Sequence, residues 1–168
     1  MKLKELFKKV IPYEKELHGK DEGLAYFNVD GWEYVLEVID SPYYTKKIRS
    51  VIERSPEFDN KIDIDPKTLS KVWMTSPVYS VAFFQYDEMG SRQHNLTGTK
   101  NALAVFSTVI DATEELIADL NARLITFSAS KSEPSRVKMY QRLISRLDHV
   151  ESFTYNDRQD IIFYMRMY

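Results

Sequence analysis

Two carboxylates, Asp87 and Glu88, stand where the apolar run VYSVAFFQYD gives way to polar sequence. At the end of a strand such groups face either bulk water or a cleft, and in a cleft they accept a proton from an amine directly or through water. Thr97, Gly98 and Thr99 then precede a long helical period. Either threonine suits a helix cap, and a glycine beside a helix N-terminus also lets unpaired N–H groups approach an anion. Tyr140 lies three residues after Val137 and four before Ile144, on an apolar stripe, so it is a core ring unless the stripe meets a cleft, where its phenol becomes a proton donor. Lys138, Arg142 and Arg146, spaced by four, share a helix face. Such a face is solvated, or meets an acidic surface or a phosphate.

Other chemistries find no footing. The three histidines, at 18, 94 and 149, lack metal-ligand spacing, and Asp59, Asp63 and Asp65 lack the glycine and closing glutamate of a calcium loop, so no metal is expected. Cysteine is absent, which removes thiol nucleophiles and disulfides and suits a reducing compartment, the cytoplasm. No nucleophile elbow, complete P-loop or dinucleotide fingerprint occurs. Lysine plus arginine (23) nearly balance aspartate plus glutamate (25), so no single-sign field points to nucleic acid as the main partner. The 22 aromatic residues sit mostly in strand-like runs, where sheet packing accounts for them. No apolar run approaches the about 18 residues that cross a membrane.

The elements that must position these residues follow from hydrophobic period. At 168 residues the chain fits one domain with one core, residues 1–168. Leu3, Leu6, Phe7 and Val10 predict an amphipathic helix over residues 1–12, stopped by Pro12, that docks on the body or on a partner. Residues 24–39 predict a hairpin about Asp30-Gly31, with Ala25, Phe27 and Val29 alternating against Leu24, Tyr26 and Asn28. From 40 to 77 four prolines divide a stretch with no sustained period, an irregular excursion in which KKIRSVIE (46–53) is a short strand or helical turn and Asp65-Pro66 opens another turn of helix. After it come a buried strand over 78–87, a helix whose stripe runs from Ala102 to Leu120, a strand over 122–129, a helix over 132–147 with Pro134 in its first turn, and two strands joined at Asn156-Asp157. A strand–helix–strand unit pairs in parallel and a terminal hairpin does not, so the sheet is mixed.

This order and these residues resemble the GNAT N-acetyltransferase superfamily over residues 78–168, with the hairpin at 24–39 matching that family's second and third strands. The family's pyrophosphate loop has the form Arg/Gln-x-x-Gly-x-Gly/Ala. Gln93-His94-Asn95-Leu96-Thr97-Gly98 keeps the first and last positions and has leucine for the first glycine; the register Asn95 to Lys100 keeps one glycine and ends in lysine. The family's tyrosine follows a pattern like Asn-x-x-Ala-x-x-Leu-Tyr. Glu133 to Tyr140 keeps the tyrosine, has methionine for leucine, and has Glu133 and Arg136 for the asparagine and alanine. The string ITFSASKSEPSRVKMYQRLISRL also looks like GNAT-related proteins of tailed bacteriophages.

The resemblance implies an α/β, more strictly α+β, fold: a central twisted mixed sheet of about six strands with helices on both faces. It implies acetyl-coenzyme A as cofactor, held along Gln93, Thr97, Gly98, Thr99, Lys100 and Asn101. Asp87 or Glu88 would then deprotonate the acceptor amine of a small molecule or protein, and Tyr140 would protonate the leaving thiolate. Ser128 and Ser130 would touch the acyl group or fill a small-residue packing layer. The alternative it implies is a phage protein of the same fold without catalysis, a virion component or host-protein-binding module. Exposed edges of a mixed sheet are compatible with a homodimer.

Overall fold

The computed structural model describes residues 10–53, 71–86, 92–93, 102–146 and 149–167. The chain order is β1 (Glu14–His18), β2 (Glu22–Val29), β3 (Trp32–Asp40), α1 (Pro42–Glu53), α2 (Val72–Thr75), β4 (Val78–Tyr86), β5 (Arg92–Gln93), α3 (Ala102–Leu120), β6 (Leu124–Ser130), α4 (Pro134–Ile144), β7 (His149–Asn156) and β8 (Asp160–Met167). Hydrogen-bonded strand neighbours follow the order β1-β2-β3-β4-β6-β8-β7, with β5 on β4. The sheet is mixed, as the strand–helix–strand argument requires, and among the described residues β1 and β5, which carry no apolar alternation that would announce them, add to the six expected strands. The chain divides into two compact units, Met1–Ile39 with Val81–Leu120, and Asp40–Ser80 with Asn121–Tyr168.

In the first unit, β2 and β3 form the expected hairpin, Val29 facing Trp32. Asp30 (φ 53°) and Gly31 (φ 81°) both take positive φ, the condition of a type I′ turn, whose twist matches the flanking strands. Ala25, Phe27 and Val29 are buried, and the ring of Phe27 stacks on its cross-strand partner Tyr34 at 5.2 Å. Helix α3 packs on β2 at Gly23, where an added Cβ would lie 2.9 Å from Leu116 Cδ2 and 3.3 Å from both Leu120 Cδ1 and Leu17 Cδ2. Of the predicted stripe of α3, Val109, Thr113, Leu116, Ile117 and Leu120 are buried, while in its first turns the buried face is displaced: Leu103 is exposed and Ala104 and Thr108 are buried. Both Thr108 and the expected Thr113 tolerate burial because their hydroxyls donate back to the carbonyls of Ala104 and Val109, at 2.7 and 2.6 Å.

The segment before β2 departs from expectation. Residues 1–9 of the predicted amphipathic helix lie outside the described residues, and 10–13 are non-helical. Residues 11–15 then run along α3: the amide of Ile11 donates to Thr108 Oγ1 (2.9 Å), the hydroxyl of Tyr13 to Asp111 (2.9 Å), and Lys15 pairs with Glu115 and Asp119, both at 2.7 Å. The acceptors at 108, 111, 115 and 119 mark one face of a 3.6-residue helix.

In the second unit, the irregular excursion is corrected by α1, twelve residues long, with Pro42 in its first turn where a missing N–H costs nothing. Its Thr45 ties α1 to β4, donating to Ser41 O (2.8 Å) and accepting from the amide of Val78 (2.9 Å). The Asp65-Pro66 turn lies outside the described residues. β4 and β6 are parallel over three pairs, Val78↔Leu124, Tyr79↔Ile125 and Ser80↔Thr126. β6 continues antiparallel to β8 from Leu124↔Arg166 to Ser130↔Asp160, and β8 pairs β7 with an irregularity between His149 and Glu151. Ile48, Val51, Trp73, Val78, Leu124, Phe153, Ile162 and Tyr164 make the core, with Trp73 edge-on to Phe153 and donating its indole N–H to Glu151.

Candidate functional site

Among the residues the sequence singles out, Tyr140 is fully described. Its helix α4 begins at Pro134, and the amides of Arg136 and Val137 donate to Glu133 O at 3.0 and 3.2 Å. Tyr140 is 2% exposed and its ring centroid lies 5.4 Å from that of Phe127 on β6. The ring is thus buried against β6. Burial pushes its pKa up; Arg136 opposes this, while Glu133 and Tyr44 add to it. The phenol is thus neutral at physiological pH and carries a proton to give.

Ser128, the next residue of β6, accepts a 3.1 Å hydrogen bond from the hydroxyl of Tyr44. Past Thr126, the strand partner of β6 among the described residues is β8 alone. The second unit thus groups Tyr44, Phe127, Ser128 and Tyr140 about one half-paired strand end.

Gln93 belongs to the first unit, where its backbone pairs with Gln85 in the short β5 ladder. Asp87, Glu88, Thr97, Gly98, Thr99, Lys100 and Asn101 lie outside the described residues. The first described turn of α3 contains no acidic residue, and Ala102 and Leu103 are exposed. Of the predicted basic face, Arg146 has its pKa lowered by burial and by Arg142.

A second group was missed. Lys47 Nζ donates to Asp157 Oδ2 at 2.6 Å and to the Tyr43 hydroxyl at 3.3 Å, and lies 5.4 and 5.3 Å from the ring centroids of Tyr43 and Tyr155. Partial burial alone would lower the lysine's pKa, but Asp157 and Tyr43 outweigh it and the net shift is upward. The signal for this group was half present: Tyr43 and Lys47 sit four apart on one helix, but Asp157 is 110 residues away. Among the described residues no group of three or more histidines and acidic residues could hold a metal ion, and no helix is long and apolar enough to cross a membrane.

No family model matches the chain, and no curated protein matches it in sequence. Among solved structures it is similar to a point mutant of spermidine N-acetyltransferase SpeG from Vibrio cholerae, with 12% identity, a TM-score of 0.44, and coverage of 89% of this chain and 68% of that one. A chimera of SpeG from Vibrio cholerae and hSSAT is similar at 11% identity and a TM-score of 0.41, with the same coverage.

Proposed function

We propose that the chain is an N-acyltransferase that moves an acetyl group from acetyl-coenzyme A to an amine. The observation that carries this reading is the end of β6, where Phe127 to Ser130 keep β8 as their strand partner and Tyr140 packs on Phe127. A half-paired strand end leaves backbone N–H and C=O groups available, and a chain of amides such as the pantetheine arm is a chemical match for them. The first described turn of α3, without an acidic residue, likewise suits a pyrophosphate. Gln93 and Thr97 to Asn101 are the residues assigned to hold that anion, with Lys100 adding charge. Bound there, the cofactor supplies an acyl group activated as a thioester.

The chain's own residues then move protons. Asp87 or Glu88 takes the proton of the attacking amine. Tyr140, protonated at neutral pH, gives its proton to the departing thiolate.

Titration of the purified protein with acetyl-coenzyme A by calorimetry tests the reading, with Gly98→Glu as the control that sets a carboxylate against the phosphates. Binding in the micromolar range, lost in that variant, is the expected result. Tyr140→Phe keeps the packing ring and should retain binding while lowering turnover on an accepted amine by about a hundredfold. No heat and no thermal shift with acetyl-coenzyme A would overturn the proposal.

A further inference from the structure

The two serines near the end of β6 are used differently. Ser130 is spent on the turn that follows: its Oγ lies 2.8 Å from Ser132 Oγ and accepts from the Ser132 amide at 3.3 Å. The Ser128 side chain makes one hydrogen bond among the described residues, and in it the serine is the acceptor, from the Tyr44 hydroxyl at 3.1 Å. A serine hydroxyl has one proton to give and two lone pairs to accept with. With a lone pair taken by Tyr44, the Ser128 proton is turned away from the tyrosine and finds no acceptor among the described residues.

Ser128 stands on the half-paired stretch of β6, past Thr126, where β8 is the strand partner among the described residues. Side chains alternate along a strand, so Phe127 and Ser128 leave opposite faces. Tyr140, packed on Phe127, and Tyr44, bonded to Ser128, therefore flank this stretch from two sides. Tyr44 is held in place by its helix. Next to it, Thr45 donates to Ser41 O at 2.8 Å and accepts from the amide of Val78 at 2.9 Å; one turn on, Lys47 Nζ lies on Asp157 at 2.6 Å. A phenol fixed in this way fixes the rotor of the serine that accepts from it.

The geometry points to Ser128 as a further catalytic residue of the acetyl transfer proposed above, its hydroxyl donating a hydrogen bond to the carbonyl oxygen of the acyl group, with Tyr44 as the positioning residue that aims it. The inference rests on that reading. In the transfer the amine nitrogen bonds to the acyl carbon and the carbon–sulfur bond breaks. The amine's proton goes to Asp87 or Glu88 and the proton of Tyr140 goes to sulfur, while Ser128 keeps its O–H throughout. Its part is to meet the negative charge that gathers on the carbonyl oxygen with a donor already in place, so that nothing need reorient as the charge forms. Tyr140 thus serves the sulfur from one face of β6 and Ser128 the oxygen from the other.

Infrared difference spectroscopy of acetyl-coenzyme A, isotopically labelled at the carbonyl carbon, reads this hydrogen bond without turnover. The labelled stretch of the bound molecule should lie at higher frequency in Ser128→Ala than in the unaltered protein and should stay in place in Ser130→Ala. Tyr44→Phe, which keeps the ring, should move it partway toward the Ser128→Ala value. With an accepted amine, Ser128→Ala should lower kcat by about a hundredfold and leave KM for the amine little changed. If acetyl-coenzyme A binds and its stretch is the same in Ser128→Ala as in the unaltered protein, this inference is overturned and the acetyl transfer stands. A stretch that Tyr44→Phe leaves in place overturns the role of Tyr44. No binding of acetyl-coenzyme A by calorimetry overturns the transfer and this inference together.

Discussion

The same three residue types, lysine, tyrosine and aspartate, are used in opposite ways in the two units. Along α3, Lys15 shares two carboxylates, Glu115 and Asp119, with side chains 32%, 49% and 33% exposed, and Tyr13 donates to Asp111. Water competes for every member of that row, so it steers the chain along the helix more than it stabilises it. Lys47 instead meets one carboxylate between two rings, where partial removal of water strengthens each contact. Burial of the cation, 18% exposed against 32%, and the two rings beside it separate the Lys47 pair from that row, since Asp157 at 35% is as open as Asp119.

Substitutions can sharpen that contrast. Trp73→Ala should have the largest effect: the indole is fully buried among Phe153 and Tyr164, and its loss should cost about 3–5 kcal/mol in urea unfolding. A smaller cost is expected in the first unit from Gly23→Ala, about 1–3 kcal/mol by the same measurement, because Leu116 and Leu120 must retreat from the new methyl. Double-mutant cycles compare the ion pairs directly. Lys47/Asp157 should show a coupling of about 1–2 kcal/mol that survives added salt, and Lys15/Glu115 less than about 0.5 kcal/mol, erased by salt. Equal couplings would remove the distinction.

Titration gives the smallest effects. Lys15, with Tyr13 helping, holds the Glu115 carboxyl below its ordinary 4.5, so the folded state binds that proton less readily than the unfolded one. Its contribution is present above 4.5 and is lost as pH falls through the lower folded value. Burial raises Tyr140 and Tyr164, and Lys47 is also raised, so their contributions are intact at neutral pH. They are lost as pH climbs past the ordinary tyrosine value of 10.0, where the unfolded chain ionises first. Denaturation followed from pH 3 to 11, about the range these groups span, should therefore show a slight acid loss that vanishes in Glu115→Gln, and a steeper alkaline one that remains.

What could be read from sequence was what local spacing dictates. Asp30-Gly31 specified its turn because only positive φ closes a two-residue hairpin with the right twist, and the period from Ala102 to Leu120 specified α3. Its buried face was legible from Val109 to Leu120 and misplaced only in the first turns, where Thr108 is buried at little cost because it bonds its own helix. β1 gave no signal: all five of its residues are exposed, so pairing with β2 rather than burial makes it a strand. α1 was obscured by Pro42 and two tyrosines, and the Lys47 cluster by contacts far apart in sequence. Tyr140 was legible as a core ring, since period reports burial; the half-paired end of β6 beside it was not, since register is a property of two strands.

The exposed β1 has a consequence for how copies of this chain meet. Lys15 is drawn to α3, while Glu16 accepts from Tyr26 (3.3 Å) and lies 3.5 Å from His18. Another chain extending the ladder past β1 would have to dock against a row of Glu14, Glu16 and His18 and strip water from each. A strand whose one large apolar residue, Leu17, is turned toward α3 thereby discourages the growth of the sheet into a fibre, and the same sparse apolar pattern hid it from view.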